Sequence, residues 1–530
     1  MKLSRRRLFE AGLGAAQMAL LSRYGIDEAR AQGMTAGKPT KLLAIWLDGG
    51  LHWESFFCPL STAGIAKFIP APTGGLIPFG YAAAQVQNFD RTAADLNEPG
   101  PRRKWRGPIY WDWNMPGATT GAIANSQGAQ QHRPYGYAWA DPTYRMYARS
   151  ALLMGADQGT ASHYSGIVAG LCGVAGANFR APAVQAVVAA AMVKRFPDRA
   201  LPNVTISGVS PTNLSLPSIA APTVVTNDAS VEPTLSDRRE SAWKGLRARG
   251  MEPDVFFDGR AGMGTVPLTS TDRYALASTT ARRGVSNAGT DALLERLYDT
   301  YKGASRTVAR DILNILGTVR GYEHLAMRDM QYPTNWTACI GSADVCGSGA
   351  SLANYDFALK LLKSNLVTSV SLRATSISNN SFDTHSSNGV QIHTNHLRIA
   401  FEGIGRLLIE MSLTPGAEMG KTLLDETLVY VFSDFGRTFP KTGSDHHPAT
   451  CAILAGGTIV GNQMVGGYDE TQNGSPMGVP VPLVEEDGST ATREPKSQDI
   501  AATVLHAFGL EAGHDYFLPG GYGHYAGVVG

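Results

Sequence analysis

Residues 427–448 combine a strand pattern with side chains that can bind a metal ion. Residues 427–432 are apolar and rich in β-branched side chains, which predicts a buried strand. Asp434 follows this run, and His446 and His447 come about a dozen residues later. Carboxylate oxygens and imidazole nitrogens are common ligands of divalent ions such as zinc. The segment therefore predicts part of a metal site, and the alternative is a surface loop with a turn-forming Asp and two solvated histidines.

Two more segments offer ligands of the same kinds. Residues 41–47 are apolar and end at Asp48, which is followed by two glycines that let the backbone pass close to a ligand. Asp383 and His385 lie two residues apart in a polar loop, where they can serve one ion together. For Asp48 the alternative is an N-cap of the next helix.

A hydroxyl group stands at the predicted start of a helix. Thr160 and Ser162 follow an apolar run at 151–155 and precede an apolar helical pattern. The N-terminus of a helix carries unsatisfied N–H groups and the positive end of the helix dipole, which suits a nucleophile or a phosphate group. A plain helix cap is the alternative.

Strands and helices alternate along the chain, which predicts an α/β domain. Strands are predicted over 41–47, 151–155, 203–206, 366–372, 427–432 and 450–454. Helices are predicted over 162–171, 182–195, 291–301, 305–324, 352–364, 391–412 and 497–508, the last one capped at Ser497 or Asp499. This order favours a doubly wound, mostly parallel sheet with helices on both faces. Open sheets of this kind bind ligands at the carboxyl ends of their strands, where Asp48 and Asp434 fall.

Two long segments interrupt the pattern, at about 59–144 and 207–286. The first is rich in Pro, Gly and aromatic residues and includes the run Tyr110-Trp111-Asp112-Trp113. Its aromatic content argues against disorder, so we expect ordered insertions in a single domain spanning 32–530. Exposed aromatic faces of this kind could also stack against sugars.

The N-terminus has the three-part layout of an export signal. Paired arginines at Arg5 and Arg6 precede a short, mildly apolar stretch and an Ala-x-Ala site at 29–31. This predicts a signal peptide at 1–31, the twin-arginine export machinery as a partner, and a periplasmic or secreted protein. An arginine-rich amphipathic helix is the alternative.

The net charge of the chain limits the classes of partner that it can bind. The formal net charge is +1, and it becomes −2 without residues 1–31, which carry three more basic than acidic residues. Such a balance predicts no nucleic-acid partner, and no later apolar run is long enough for a membrane span.

The five cysteines leave at least one thiol unpaired, and Cys339 and Cys346 could form a disulfide in an oxidising compartment.

Taken together and in order, these motifs resemble the alkaline phosphatase and sulfatase superfamily. The runs LDGG, SHY, FDTHSSN, SDFGRT and GSDHH resemble, more closely, an uncharacterised domain-of-unknown-function family of twin-arginine-exported proteins within it. The resemblance covers most of residues 41–515 and implies an alkaline-phosphatase-like sheet. It also implies hydrolysis of phosphate mono- or diesters at one or two divalent ions, which could be Zn, Mn, Mg or Ca.

The resemblance assigns roles by position. It implies that the ion ligands are Asp48, Asp383, His385, Asp434 and His446. It makes Ser162 the nucleophile, with Thr160 as a fallback. The substrate would lie against Arg437, His163 and His447, and Arg437 could hold ester oxygens bidentately or form a structural ion pair.

Departures from the superfamily pattern keep a second function open. Phosphatases place a histidine directly after the late aspartate, but Phe435 follows Asp434 here. The spacing from Asp383 to His385 is also tighter than in phosphatases, and no Cys-x-Pro-x-Arg or Ser-x-Pro-x-Arg run exists for sulfatase chemistry. The alternative is a catalytically degenerate member of the fold that binds a glycan or a protein in the periplasm.

Overall fold

The structure is a computed structural model, and the described part of the chain is discontinuous. It comprises residues 37–51, 146–173, 183–193, 196, 199, 201–207, 349–364, 367–374, 382, 383, 385, 389–437, 445–461, 463–469, 493–510 and 523–530, and also 102–104, 223–224 and 479–480. The last three ranges and some residues within the longer ones, such as 349–353, 389–396 and 468–469, are described by their backbone alone. The predicted signal peptide, the predicted helices at 291–301 and 305–324, the Tyr110–Trp113 run, Cys339 and Cys346 lie outside these residues. So does almost all of both predicted insertions.

Strands in the described residues follow the apolar runs of the sequence. They are β1 (Lys41–Leu47), β2 (Arg102–Lys104), β3 (Ser150–Asp157), β4 (Asn203–Ser207), β5 (Thr223–Val224), β6 (Ser369–Ala374), β7 (Thr427–Ser433), β8 (Gly436–Arg437), β9 (His446–His447), β10 (Ala449–Gly456), β11 (Gln463–Gly466), β12 (Tyr468–Asp469) and β13 (Val479–Pro480). The six predicted strands are confirmed as β1, β3, β4, β6, β7 and β10. The short strands were not predicted, because two to four residues carry too little periodicity.

Nine of the strands form one sheet in the order β2-β11-β3-β10-β7-β1-β6-β4-β5. Strand β10 runs antiparallel to β3 and β7, β2 runs antiparallel to β11, and the other neighbours are parallel. The mixed α/β class with a mostly parallel sheet is therefore confirmed. The reversed direction of β10 was not predicted. The connection between β7 and β10, residues 434–448, contains the β8–β9 ribbon and is long enough for either strand direction, so its length did not indicate the reversal.

Five α-helices accompany the sheet in the described residues. They are α1 (His163–Cys172), α2 (Val184–Val193), α3 (Gly349–Ser364), α4 (Gly389–Leu413) and α5 (Ser497–Ala507). All five were predicted to within a few residues. The cap of α5 differs from the prediction: Lys496 is the N-cap residue, and the Asp499 carboxylate accepts its backbone N–H at 2.7 Å.

Helices cover both faces of the sheet, as the alternation within β1 makes clear. Leu43, Ile45 and Leu47 belong to one buried cluster together with residues of α3 and α4. Leu42, Ala44 and Trp46 belong to a second cluster with α1, α2 and α5. Successive side chains of a strand point to opposite faces, so β1 is apolar throughout because both faces are covered.

The central strands end together at one edge of the sheet. Leu47 pairs with Ser433 of β7 on one side and with Ala374 of β6 on the other. The residues that follow these strands therefore meet at their carboxyl ends, where Asp48 and Asp434 emerge. Among the described helices, none combines the length and the apolar character that a membrane crossing requires.

Candidate metal centre

The Asp434 carboxylate is the most enclosed polar group at this edge. Its side chain is 0% exposed, and one oxygen, Oδ1, accepts backbone N–H groups from Gly49 at 2.9 Å and Gly50 at 2.7 Å. The Ser433 hydroxyl lies 3.0 Å from the same oxygen and donates elsewhere, to the Leu47 carbonyl at 2.7 Å. Donors from the turn after β1 thus fix a carboxylate at the end of β7, which leaves Oδ2 for another partner.

Gly49 lets two loops lie against each other. Its φ is +116°, and a Cβ built there would lie 2.3 Å from the Asp383 backbone nitrogen. The Phe382 N–H donates to the Asp48 carbonyl at 2.6 Å across the same contact. A side chain at position 49 would therefore push Asp383 away from Asp48 and Asp434.

Arg437 holds Asp383 in place. The Arg437 side chain is 0% exposed; its Nε donates to the Gly49 carbonyl at 2.9 Å, and its NH2 group donates to the Asp383 carboxylate. Burial raises the pKa of Asp383, but the hydrogen bond and charge of Arg437 outweigh it, so the net pKa is lowered. Arg437 is enclosed and already paired with Asp383, so it orients this carboxylate. This is the structural ion pair that the sequence analysis gave as the alternative to binding ester oxygens.

A two-stranded ribbon brings His446 to Asp383. Strands β8 and β9 are antiparallel, with Arg437 opposite His446. The Nδ1 atom of His446 lies 2.8 Å from the Ala161 carbonyl. Its Nε2 atom lies 3.3 Å from Asp383 Oδ1 and 3.1 Å from His385 Nε2. The separation between His385 Nε2 and Asp383 Oδ1 is 2.8 Å, so the predicted ligands Asp383, His385 and His446 do converge.

His163, the first residue of α1, connects the two carboxylates. Its Nδ1 lies 2.5 Å from Asp434 Oδ2, and its Nε2 lies 3.3 Å from Asp383 Oδ2. Its ring contacts those of Phe435 and His446, with centroids 4.7 and 4.6 Å away. The hydrogen bond to Asp434 raises the pKa of His163 against the opposing effect of burial.

A glycine sets the distance between α1 and the end of β7. A Cβ at Gly166 would lie 1.9 Å from the Asp434 carbonyl oxygen, so the helix can approach this closely only where a side chain is absent. The sequence placed His163 beside the substrate rather than among the metal ligands. The helical start at 163 was visible in the sequence, but the approach of this helix to Asp434 was not.

Asp48 has a cationic neighbour that the sequence analysis missed. The Arg373 guanidinium, near the end of β6, donates to the Asp48 carboxylate; their side chains are 36% and 16% exposed. Burial raises the pKa of Asp48, and the positive charge of Arg373 opposes this effect without cancelling it. The available signal was a basic residue inside an otherwise uncharged strand.

The remaining predicted residues lie at the rim. Ser162 is the exposed N-cap of α1, with φ −96° and ψ 130°, and its hydroxyl makes no capping hydrogen bond. The Thr160 hydroxyl accepts the Ser162 N–H at 3.1 Å. His447 is half-buried, its Nδ1 accepts the Ala449 N–H at 3.2 Å, and burial lowers its pKa. Ser162 therefore lies next to the histidine cluster along the chain, whereas His447 is engaged with the following strand.

Two overlapping groups of side chains could hold a divalent ion. One comprises His163, Asp383 and His446, and the other comprises Asp48, His163 and Asp434; within each group the ligand atoms lie within 4.8 Å of one another. Zinc bonds of about 2.0–2.1 Å in a tetrahedron place neighbouring ligand atoms about 3.3 Å apart. The separations of 2.8–3.3 Å around Asp383 are close to this value, so the residues present fit a small divalent ion.

Comparison with known proteins identifies one domain. A DUF1501 domain, described as a protein of unknown function, is found at residues 290–522. This range contains Asp383, His385, Asp434 and His446, while Asp48 and His163 precede it. No curated protein and no solved structure matches the chain.

Proposed function

We propose that this protein is an exported, metal-dependent hydrolase of phosphate mono- or diesters. The observation that carries the proposal is the convergence of three imidazoles on one carboxylate, Asp383, at the carboxyl ends of parallel strands. Such an arrangement suits a divalent ion, and open α/β sheets place their active sites at this edge. The resemblance of the motif order to the alkaline phosphatase and sulfatase superfamily supports the same reaction class.

Ser162 is the proposed nucleophile. It immediately precedes His163, and as an exposed N-cap residue without a capping hydrogen bond its hydroxyl is not committed to its own helix. The first N–H groups of α1 favour an anionic ester beside it. A divalent ion bound here would lower the pKa of the nucleophile and neutralise charge on the leaving oxygen.

The surrounding residues hold the ligands in position. Arg437 keeps Asp383 ionised and oriented through its hydrogen bond and charge. Asp434 accepts two backbone N–H groups and binds the Nδ1 side of the His163 ring. Ligands that are locked in this way need little rearrangement when an ion or an ester binds.

Metal analysis combined with a substrate panel tests the proposal. The purified chain would be assayed for bound divalent metals and for turnover of aryl phosphate monoesters and diesters. We expect bound metal, turnover that a chelator abolishes, and a loss of at least about 100-fold in kcat for Ser162→Ala. Tyr164→Phe is the matched control, because Tyr164 is an exposed neighbour on α1 that has no proposed role.

Other outcomes separate the competing functions. A folded protein without bound metal and without turnover contradicts the proposal. Binding of a glycan array by the wild type and by Ser162→Ala alike, again without turnover, would instead support the catalytically degenerate binding module.

We also propose that the chain leaves the cytoplasm by the twin-arginine route. The support is the signal layout at 1–31, which includes Arg5 and Arg6. Cell fractionation of an Arg5→Lys/Arg6→Lys variant should find the uncleaved chain in the cytoplasm, and Lys2→Gln should still be exported. Normal export of the double variant would refute this route.

A further inference from the structure

We infer that this edge of the sheet binds one divalent ion rather than two. The ligands of that ion are His163, Asp383, His385 and His446. Asp434 is a positioning residue for His163, and Arg373 supplies the positive charge beside Asp48 that a second ion would otherwise supply. The inference rests on the metal site of the proposed function, but it does not depend on the reaction.

The orientation of His163 is the first reason. Its Nδ1 lies 2.5 Å from Asp434 Oδ2, while its Nε2 faces Asp383 at 3.3 Å. A histidine that binds a metal through one nitrogen commonly donates its other N–H to a carboxylate, which fixes the ring. Asp434 is fully buried and anchored by Gly49 and Gly50, as such a partner must be. His163 belongs to both groups of candidate ligands. In this orientation its free ring nitrogen, Nε2, can bind an ion only in the group that contains Asp383.

The geometry around Asp383 is the second reason. The three histidine Nε2 atoms lie 2.8–3.3 Å from its carboxylate oxygens, and the Nε2 atoms of His385 and His446 are 3.1 Å apart. These four separations are each close to the edge of a tetrahedron around an ion; His385 and His446 contact Oδ1 of Asp383, whereas His163 contacts Oδ2. His385 is half exposed, so its ring can adjust when the ion binds.

Arg373 is the third reason. Once Nδ1 of His163 is bound to Asp434, the second group retains only two carboxylates, Asp48 and Asp434. Asp434 is satisfied by two N–H groups and the imidazole, and Asp48 is paired with the Arg373 guanidinium. A second ion would have to displace this guanidinium and find nitrogen ligands elsewhere.

Among the described residues, Phe435 lies beside the second group, at the position where the phosphatase pattern has a histidine. It is fully buried, and its ring lies against His163 and His446, with centroids 4.7 and 4.1 Å away. An apolar ring fills the space that a histidine would need there, and it also packs two of the four ligands against each other. Phe435 in place of a histidine therefore favours one ion at Asp383 and disfavours a second ion at Asp48 and Asp434.

Metal titration of the full chain tests this inference. The purified protein would be stripped with a chelator and titrated with Zn²⁺ and with Co²⁺, and the ratio of ions to chains and the Co²⁺ absorption spectrum would be recorded. We expect one ion per chain and an intense, tetrahedral Co²⁺ spectrum. His163→Gln should lower the affinity at least about 100-fold, and Asp434→Asn about 10- to 100-fold while the spectrum stays tetrahedral.

Asp48→Asn is the deciding variant. Asp48 is paired with Arg373 and does not ligate the ion. The affinity of the Asp48→Asn variant for Zn²⁺ should therefore stay within about threefold of the wild-type affinity, with one ion bound per chain. Near-ultraviolet circular dichroism of each metal-free variant would establish folding. If Asp434→Asn does not fold, the contrast between His163→Gln and Asp48→Asn still decides the question.

The outcomes separate this inference from the proposed reaction. Two ions per chain, loss of an ion in Asp48→Asn, or unchanged affinity in His163→Gln would overturn the inference even if the protein hydrolyses esters. One ion per chain with the expected variant pattern but no turnover would overturn the reaction and uphold the inference. A folded wild type that binds no ion would refute both.

Discussion

The two ends of strands β1 and β7 carry buried charges in different ways. At the amino ends, Lys41 and Glu426 form an ion pair of 3.0 Å, with side chains only 2% and 4% exposed. Arg199 closes this end by donating to the Thr40 carbonyl at 2.8 Å. Each charged group there has fixed neighbours and little access to solvent, which is the pattern of a structural ion pair.

At the carboxyl ends, charges are shared among several groups and remain partly accessible. Asp383 contacts Arg437 and three histidines, and the exposed fractions of these histidine side chains range from 22% to 50%. Imidazole nitrogens and carboxylate oxygens that face one another can exchange their mutual contacts for a common ion. The same two strands therefore end in a closed, stabilising pair on one side and in an open cluster able to bind a ligand on the other.

The largest expected effect is the loss of Lys41. In Lys41→Met, Glu426 stays buried without its cation, so we expect the free energy of unfolding to fall by about 3–5 kcal/mol. Chemical denaturation would measure this loss. Asp48→Asn should change stability by less than about 1 kcal/mol, since the Asp48–Arg373 pair is partly exposed. Equal losses in the two variants would remove the distinction between the two ends.

Adding one methyl group to α1 should have the next largest effect. In Gly166→Ala the new Cβ meets the backbone of Asp434 at 1.9 Å, so we expect a loss of about 1–3 kcal/mol together with weaker metal binding. Gly170→Ala is the control, because its Cβ meets the Phe432 ring at 2.4 Å, away from His163. It should lower the melting temperature but leave the affinity for Zn²⁺ unchanged, and an equal change in affinity would contradict the geometry.

Acid should weaken the closed end. Burial alone raises the pKa of Glu426, but the charge of Lys41 and backbone N–H groups outweigh it, so its pKa is lowered from the ordinary 4.5. The stability from Glu426 is therefore present above about pH 4.5 and is lost as the pH falls through the lowered pKa. Denaturant midpoints measured between about pH 3 and pH 6 would show a steeper decline for the wild type than for Glu426→Gln.

The smallest effect should come from an exposed ion pair in the loop that precedes β7. Lys421 and Glu418 form an ion pair of 2.9 Å with side chains 25% and 60% exposed. Solvent screens such a pair, so Lys421→Ala should change the free energy of unfolding by less than about 1 kcal/mol. A larger loss in chemical denaturation would show that exposure is a poor guide to the importance of an ion pair here.

Most of the described strands longer than four residues and the described helices could be predicted from the pattern of apolar residues. Strand β1 was predicted with its observed ends, and α4 within a few residues, because their apolar runs are long and periodic. Strand β6 was predicted to begin at 366 but begins at Ser369. The reversed β10 was not predicted, since an apolar run contains no information about strand direction.

The sequence predicted only some of the residues of the candidate site. Asp383, His385 and His446 were named from their residue types and their positions after apolar runs, and the fold brings them together. His163 was assigned to the substrate, and Arg373 was not considered. Both depend on contacts with residues far away in the chain, which spacing within a motif cannot indicate.

Chain order and residue type thus determined the elements of this protein and the ligand-bearing loops, because strand and helix periods are local properties. The tertiary structure alone decided which nitrogen of His163 faces Asp383, which donors surround Asp434, and which cation lies beside Asp48. These choices depend on the approach of α1 at Gly166 and on the loop contact at Gly49. Both are fixed by packing between segments that lie hundreds of residues apart.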